Sequence, residues 1–106
     1  WGTEASVLLG DYLFSQAYHL AATLDTPIGC RVVGEATNRT CEGELHQVSR
    51  RGCFDLTESE YIDIVAGKTA ELLSCACRLG ARFAGAREDV ADAMARFGRH
   101  VGIAFQ

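Results

Sequence analysis

Within Tyr61–Phe83 (YIDIVAGKTAELLSCACRLGARF) the apolar residues Tyr61, Ile64, Val65, Leu72, Cys75, Leu79 and Phe83 recur at helical spacing. The pattern dictates a helix with one apolar stripe. Lys68 stands in that stripe, seven residues from Tyr61 and seven from Cys75. Removing water from a charge costs on the order of several kcal/mol unless the charge finds a partner. Two readings are open: the aliphatic stem carries the ammonium to a nearby edge, or the stripe faces a cavity in which Lys68 meets an anion. Gly67 can loosen the helix beside Lys68 and free a backbone carbonyl near Lys68–Thr69. Cation, hydroxyl and loose carbonyl on one turn would then form a polar spot in an apolar wall.

The same periodicity organises the rest of the chain. Thr3–Leu24 reads as a first helix with Thr3 as N-cap and Val7, Leu8, Tyr12, Leu13, Ala17, Leu20 and Leu24 on a broad apolar face. Asp25-Thr26-Pro27 breaks it, and a second helix runs over about Pro27–Val48 with Cys30, Val33, Thr37, Cys41, Leu45 and Val48 as its buried stripe. Glu44 and Gln47 flank that stripe; such a polar row is ordinarily solvated unless a cavity adjoins it. Ser49-Arg50-Arg51-Gly52 is a basic loop. Thr57 and Glu60 have capping-box spacing ahead of the Tyr61 run, and Gly85 is placed to end that helix. A last helix starts near Arg87 and buries Val90, Met94, Phe97, Val101 and Phe105, with Gly98 and Gly102 inviting close approach of a neighbour. No stretch alternates with period two long enough to be a strand. The reading is all-α, with about four helices in a single domain spanning 1–106.

Composition narrows the function classes. A net charge of −4, with ten Lys and Arg in no long run, argues against general nucleic-acid binding. No apolar run has the length of a bilayer-spanning helix, and no basic region precedes an apolar core at the N-terminus. The five cysteines show no metal-ligand spacing and read as reduced packing residues of a cytoplasmic protein. Nucleotide-binding loops, serine-nucleophile elbows and metal-ligand clusters are absent, and His19, His46 and His100 fall on three different helices. A chain that starts at Trp1 and stops at Gln106 in mid-pattern reads as a piece of a longer protein. From the residues alone, the candidate site is Lys68 and Thr69, with Gln106 as a polar partner from another helix.

Four blocks, ASVLLGDYLFSQA, CEGELHQ, YIDIVAGKTAELL and FGRHVGIAFQ, in this order and spacing, resemble the trans-prenyltransferases, the polyprenyl diphosphate synthases of octaprenyl and geranylgeranyl type. The resemblance covers essentially the whole chain but only a middle portion of the family. It implies the isoprenoid synthase fold, long antiparallel helices around a central cavity, in members that usually form dimers. It also implies a reaction: head-to-tail elongation of an allylic diphosphate by isopentenyl diphosphate, with Mg2+ on the pyrophosphate.

Carried over by position, Lys68 resembles the lysine on the allylic diphosphate, and Thr69 with the adjacent carbonyl resembles the group facing the forming cation. Gln106 and Phe105 match the family's Phe-Gln pair, the amide near the diphosphate and the ring on the isopentenyl substrate. Glu44 and Gln47 match cavity-facing positions of a Gly-Glu-x-x-Gln element. The family's two Asp-Asp-x-x-Asp motifs, which bind Mg2+, are missing from these residues. The expectation is therefore an enzyme as the full-length parent chain, inactive as this fragment, with its metal held by residues outside it. The alternative is a non-catalytic partner subunit of a heteromeric synthase.

Overall fold

The computed structural model describes residues 1–106. Its elements, in chain order, are α1 (Thr3–Ala22), α2 (Ile28–Ser49), α3 (Glu58–Val65), a π-helical turn (Ala66–Ala70), α4 (Glu71–Phe83) and α5 (Glu88–Phe105). The capping box at the head of α3 forms: Thr57 Oγ1 accepts from the Glu60 N–H at 3.2 Å, and Glu60 Oε2 accepts from the Thr57 N–H at 2.9 Å. At the far end of α4, Gly85 takes φ +82°, a left-handed conformation that costs a residue without a Cβ nothing extra. Two boundaries differ from expectation. Helix α1 begins one residue early, because the Ser6 N–H reaches the Gly2 carbonyl (3.0 Å), so Thr3 lies in the first turn and Gly2 in the cap position without a side-chain bond. It also stops at Ala22, where the Thr23 hydroxyl donates to the Leu20 carbonyl (2.7 Å).

The Tyr61–Phe83 helix is not one stripe. The π-helical turn inserts one residue relative to α-helical spacing, which rotates α4 against α3 and splits the stripe in two. Ile64 and Val65 at the end of α3 are buried, while Tyr61 and Phe83 at the outer ends are exposed. The core is also made of different residues from those expected. Buried positions are Ala21, Gly29, Ala36, Gly43, Ile64, Val65, Ala66, Ala70, Ala91, Gly98 and Gly102, and no large side chain is fully enclosed. Leu45 and Val48 of the second expected stripe, and all five large residues of the last one, face outward. The physical reason is the distance between helices: they meet through small residues, so their backbones touch and the bulky faces turn away.

The closest of these contacts fixes the π-turn from two sides. On α2, a Cβ added at Gly43 would lie 2.8 Å from the Lys68 backbone nitrogen and 3.0 Å from the Gly67 carbonyl carbon. On α5, a Cβ at Gly102 would lie 2.5 Å from Ala70 Cα, and one at Gly98 would lie 2.5 Å from the Leu73 carbonyl oxygen. Helices α2 and α5 therefore clamp the turn through glycines. Gly43→Ala in the full-length parent is expected to destabilise by about 1–3 kcal/mol, since the neighbours are backbone and must move as a unit. A lowered unfolding midpoint checks this; a midpoint raised by the better helix propensity of alanine would show that α2 separates from the turn at no cost.

Candidate functional site

At the π-turn the Glu71 N–H bonds the Ala66 carbonyl, five residues back, and not Gly67. The Glu71 N–H, which an α-helix would bring to the Gly67 carbonyl, is thus committed one residue further back. The next two side chains reach different helices. Lys68 Nζ donates to Gln47 Oε1 of α2 at 3.1 Å and stands 3.4 Å from Glu44 Oε1. Thr69 Oγ1 donates to Oε1 of Gln106, at the end of α5, at 2.8 Å. The lysine side chain is 30% exposed, so it neither snorkels free of the fold nor lies fully enclosed. Its partner is an anion, and within this chain that anion is Glu44.

Lys68, Gln47 and Gln106 line a cleft of about 280 Å³ whose apolar wall is Leu56, Tyr61, Ile64 and Val65. Arg50 and Arg51 complete it. Thr69 is joined to the cleft through Gln106 and does not itself line it. Glu44 touches Lys68 from the other side and lines a separate, wider groove between α1 and α2, with Asp11, Phe14 and Thr40. Phe105 is 81% exposed and does not line the cleft. Four of the six expected residues, Lys68, Thr69, Gln106 and Gln47, therefore come together; Glu44 joins through an ion pair; Phe105 does not.

Sequence reasoning noted the Arg50-Arg51 pair only as a basic loop and missed its place in the cleft. The signal was its position at the end of the helix that carries Gln47, one turn past it. Arg50 Nη2 lies 3.3 Å from Glu60 Oε1 and 3.8 Å from Asp55 Oδ1, which ties the loop to the start of α3. The Thr57 backbone and hydroxyl hydrogen bonds, aided by the Arg50 charge, hold the Glu60 carboxyl below its ordinary range. The loop anchor therefore stays ionised at neutral pH. Also unforeseen is Glu71, on the face of the π-turn opposite the cleft. Its carboxylate, 14% exposed, bridges Arg39 of α2 (3.3 Å) and Arg99 of α5. Three helices are thereby tied at the residue that accepts the offset of the π-turn.

No three carboxylate, imidazole or thiolate groups are arranged to hold a metal ion. The acidic group nearest Lys68 is occupied by it. The side chains of this chain thus do not by themselves fit a magnesium site.

The model of the polyprenyl synthetase family matches residues 1–106. The chain belongs to that family. It is 32% identical over 111 residues to the geranylgeranyl diphosphate synthase of Methanosarcina mazei, and 34% identical over 106 residues to the octaprenyl diphosphate synthase of Haemophilus influenzae. The whole chain is covered in both, against 34% and 32% of the relatives' lengths. Its fold superposes on a decaprenyl diphosphate synthase from Rhodobacter capsulatus with a TM-score of 0.86 at 35% identity, over all of this chain and 34% of that one. This polyprenyl synthetase segment spans about a third of the relatives it matches, and its helices are part of the isoprenoid synthase fold. No helix in it is long and apolar enough to cross a membrane.

Proposed function

We propose that residues 1–106 are the central part of a single catalytic domain that elongates an allylic diphosphate head to tail with isopentenyl diphosphate. The observation that carries this reading is the convergence of Lys68, Gln47 and Gln106 on one half-apolar cleft beside a π-turn. In the proposed reaction the allylic C–O bond breaks and its electron pair leaves with the diphosphate. The isopentenyl double bond attacks the allylic carbon, and the resulting cation loses a proton. The demands are a cation for the leaving group, dipoles for the allyl cation, and an apolar wall that excludes water.

The chain offers a group for each demand. Gln47 and Glu44 hold the Lys68 ammonium at the cleft, where it would exchange the Glu44 carboxylate for a diphosphate oxygen. The Thr69 hydroxyl, oriented by Gln106, and the Gly67 carbonyl present oxygen lone pairs that favour an adjacent positive carbon. Tyr61, Ile64, Val65 and Leu56 supply the dry wall. Phe105 would reach the isopentenyl substrate only once the cavity is completed by other parts of the domain. Magnesium, when bound, neutralises the pyrophosphate, and its ligands are assigned to residues outside 1–106. We further assign the outward apolar faces to packing within the full domain and to a homodimer through α1 and α2, in a cytoplasmic enzyme. The 22 exposed large apolar side chains support that assignment, because a lone domain of this size would ordinarily bury far more of them.

The test is elongation by the full-length parent with isopentenyl diphosphate, magnesium and allylic primers of increasing length. Longer prenyl diphosphates are expected. Turnover that appears only on addition of a second subunit would favour the partner-subunit alternative, and no turnover under either condition would overturn the reading.

A further inference from the structure

Three cations line the cleft, and they differ in how they are paired. Lys68 has Glu44 at 3.4 Å, and Arg50 has Glu60 at 3.3 Å and Asp55 at 3.8 Å. Arg51 has neither a carboxylate within ion-pairing distance nor a side-chain hydrogen bond, although it shares the cleft with both. It is nonetheless on a fixed turn. The Arg51 N–H bonds the Val48 carbonyl (3.3 Å), the Cys53 N–H bonds the Arg50 carbonyl (3.1 Å), and Gly52 adopts φ +81°. Arg50 then fastens that turn to α3 through Glu60.

An exposed arginine with no partner is unremarkable by itself. One that is held over a cleft where Lys68 must first leave Glu44, and Arg50 is taken up by Glu60 and Asp55, supplies a cation that is free at the outset. A diphosphate carries several negative charges, and a guanidinium presents two parallel N–H donors that fit two phosphate oxygens at once. Resting on the proposed function above, we infer that Arg51 is a further substrate-binding residue. It would contact the diphosphate of the allylic substrate at the mouth of the cleft, with Lys68 deeper in, and Arg50 would act as the residue that positions it.

The experiment compares Arg51→Ala and Arg51→Lys with the wild-type full-length parent, measuring steady-state elongation and inhibition by inorganic pyrophosphate over a range of salt. Arg31→Ala serves as control, because Arg31 is likewise exposed and unpaired but sits at the opposite end of α2, about 30 Å away. Loss of one charge-assisted contact predicts a rise of about ten-fold in KM for the allylic diphosphate and a similar weakening of pyrophosphate inhibition in Arg51→Ala. The effect on kcat is expected to be smaller, the salt dependence of KM shallower, and the loss partly restored in Arg51→Lys. A merely structural arginine would move the melting temperature and leave the salt dependence intact. A wild-type parent that elongates normally while Arg51→Ala matches it in KM and in inhibition overturns the role of Arg51 and leaves the proposed function standing. A wild-type parent that neither elongates nor responds to pyrophosphate overturns both.

Discussion

Lys68→Ala in the full-length parent is expected to lower kcat/KM for the allylic diphosphate by about a hundred-fold or more, with little change in melting temperature. The magnitude follows from removing a cation that a leaving pyrophosphate needs most in the transition state; losses of comparable donors cost on the order of 3 kcal/mol. Stability should hardly move, because the ammonium is part-exposed and its pairing is with Glu44, which is about half exposed. The removal also frees Glu44 and Gln47 without enclosing either. Steady-state kinetics alongside thermal unfolding separates the outcomes. Unaltered kinetics with a lowered melting temperature would make Lys68 a structural residue.

The second large effect is expected in stability. Gly102→Leu should destabilise the full-length parent by about 3 kcal/mol or more, since even a single Cβ at this position would meet Ala70 Cα at 2.5 Å and a leucine cannot rotate away from backbone. Because the displaced element is the π-turn, loss of activity should exceed what the unfolded fraction accounts for. The check is denaturant unfolding together with activity measured well below the midpoint. A variant that keeps wild-type stability would show that α5 does not seat on the turn as described.

The element types were legible in the sequence because periodicity, the Thr57–Glu60 capping box and Gly85 are local signals, and local signals decide where helices begin and end. Which face of each helix is buried was not. Sequence periodicity ranks faces by large apolar residues, whereas these helices meet through Gly29, Gly43, Gly98, Gly102 and a set of alanines. Close approach favours small residues, and the large faces of α1 and α5 point outward as a result. Gly98 and Gly102 did signal this, but as a pair of small residues they could not say which face of α4 would receive them.

The site was legible in proportion to its anomaly. Lys68 stood out because a charge interrupted an apolar pattern, and Gly67 marked the loosening beside it. Arg51 and Glu71 carried no such mark: the importance of Glu71 comes from partners 28 and 32 positions away, and that of Arg51 from the absence of any. The Glu71 bridge to Arg39 and Arg99 depends on the rotation introduced by the π-turn, a feature that side-chain spacing averages over.

That rotation has a bearing on how such a site could arise. A π-turn is an α-helix carrying one surplus residue, with the helices on both sides left intact. Deleting a single residue between Val65 and Glu71 would restore an unbroken α-helix and leave Leu72, Cys75 and Leu79 at the rotation they now have relative to Ile64 and Val65. Lys68, Thr69 and the widened turn that carries them are thus one codon removed from an ordinary bundle helix. Searching for such sites by substitution alone would pass over this route, because the step that opens the helix is a change in length.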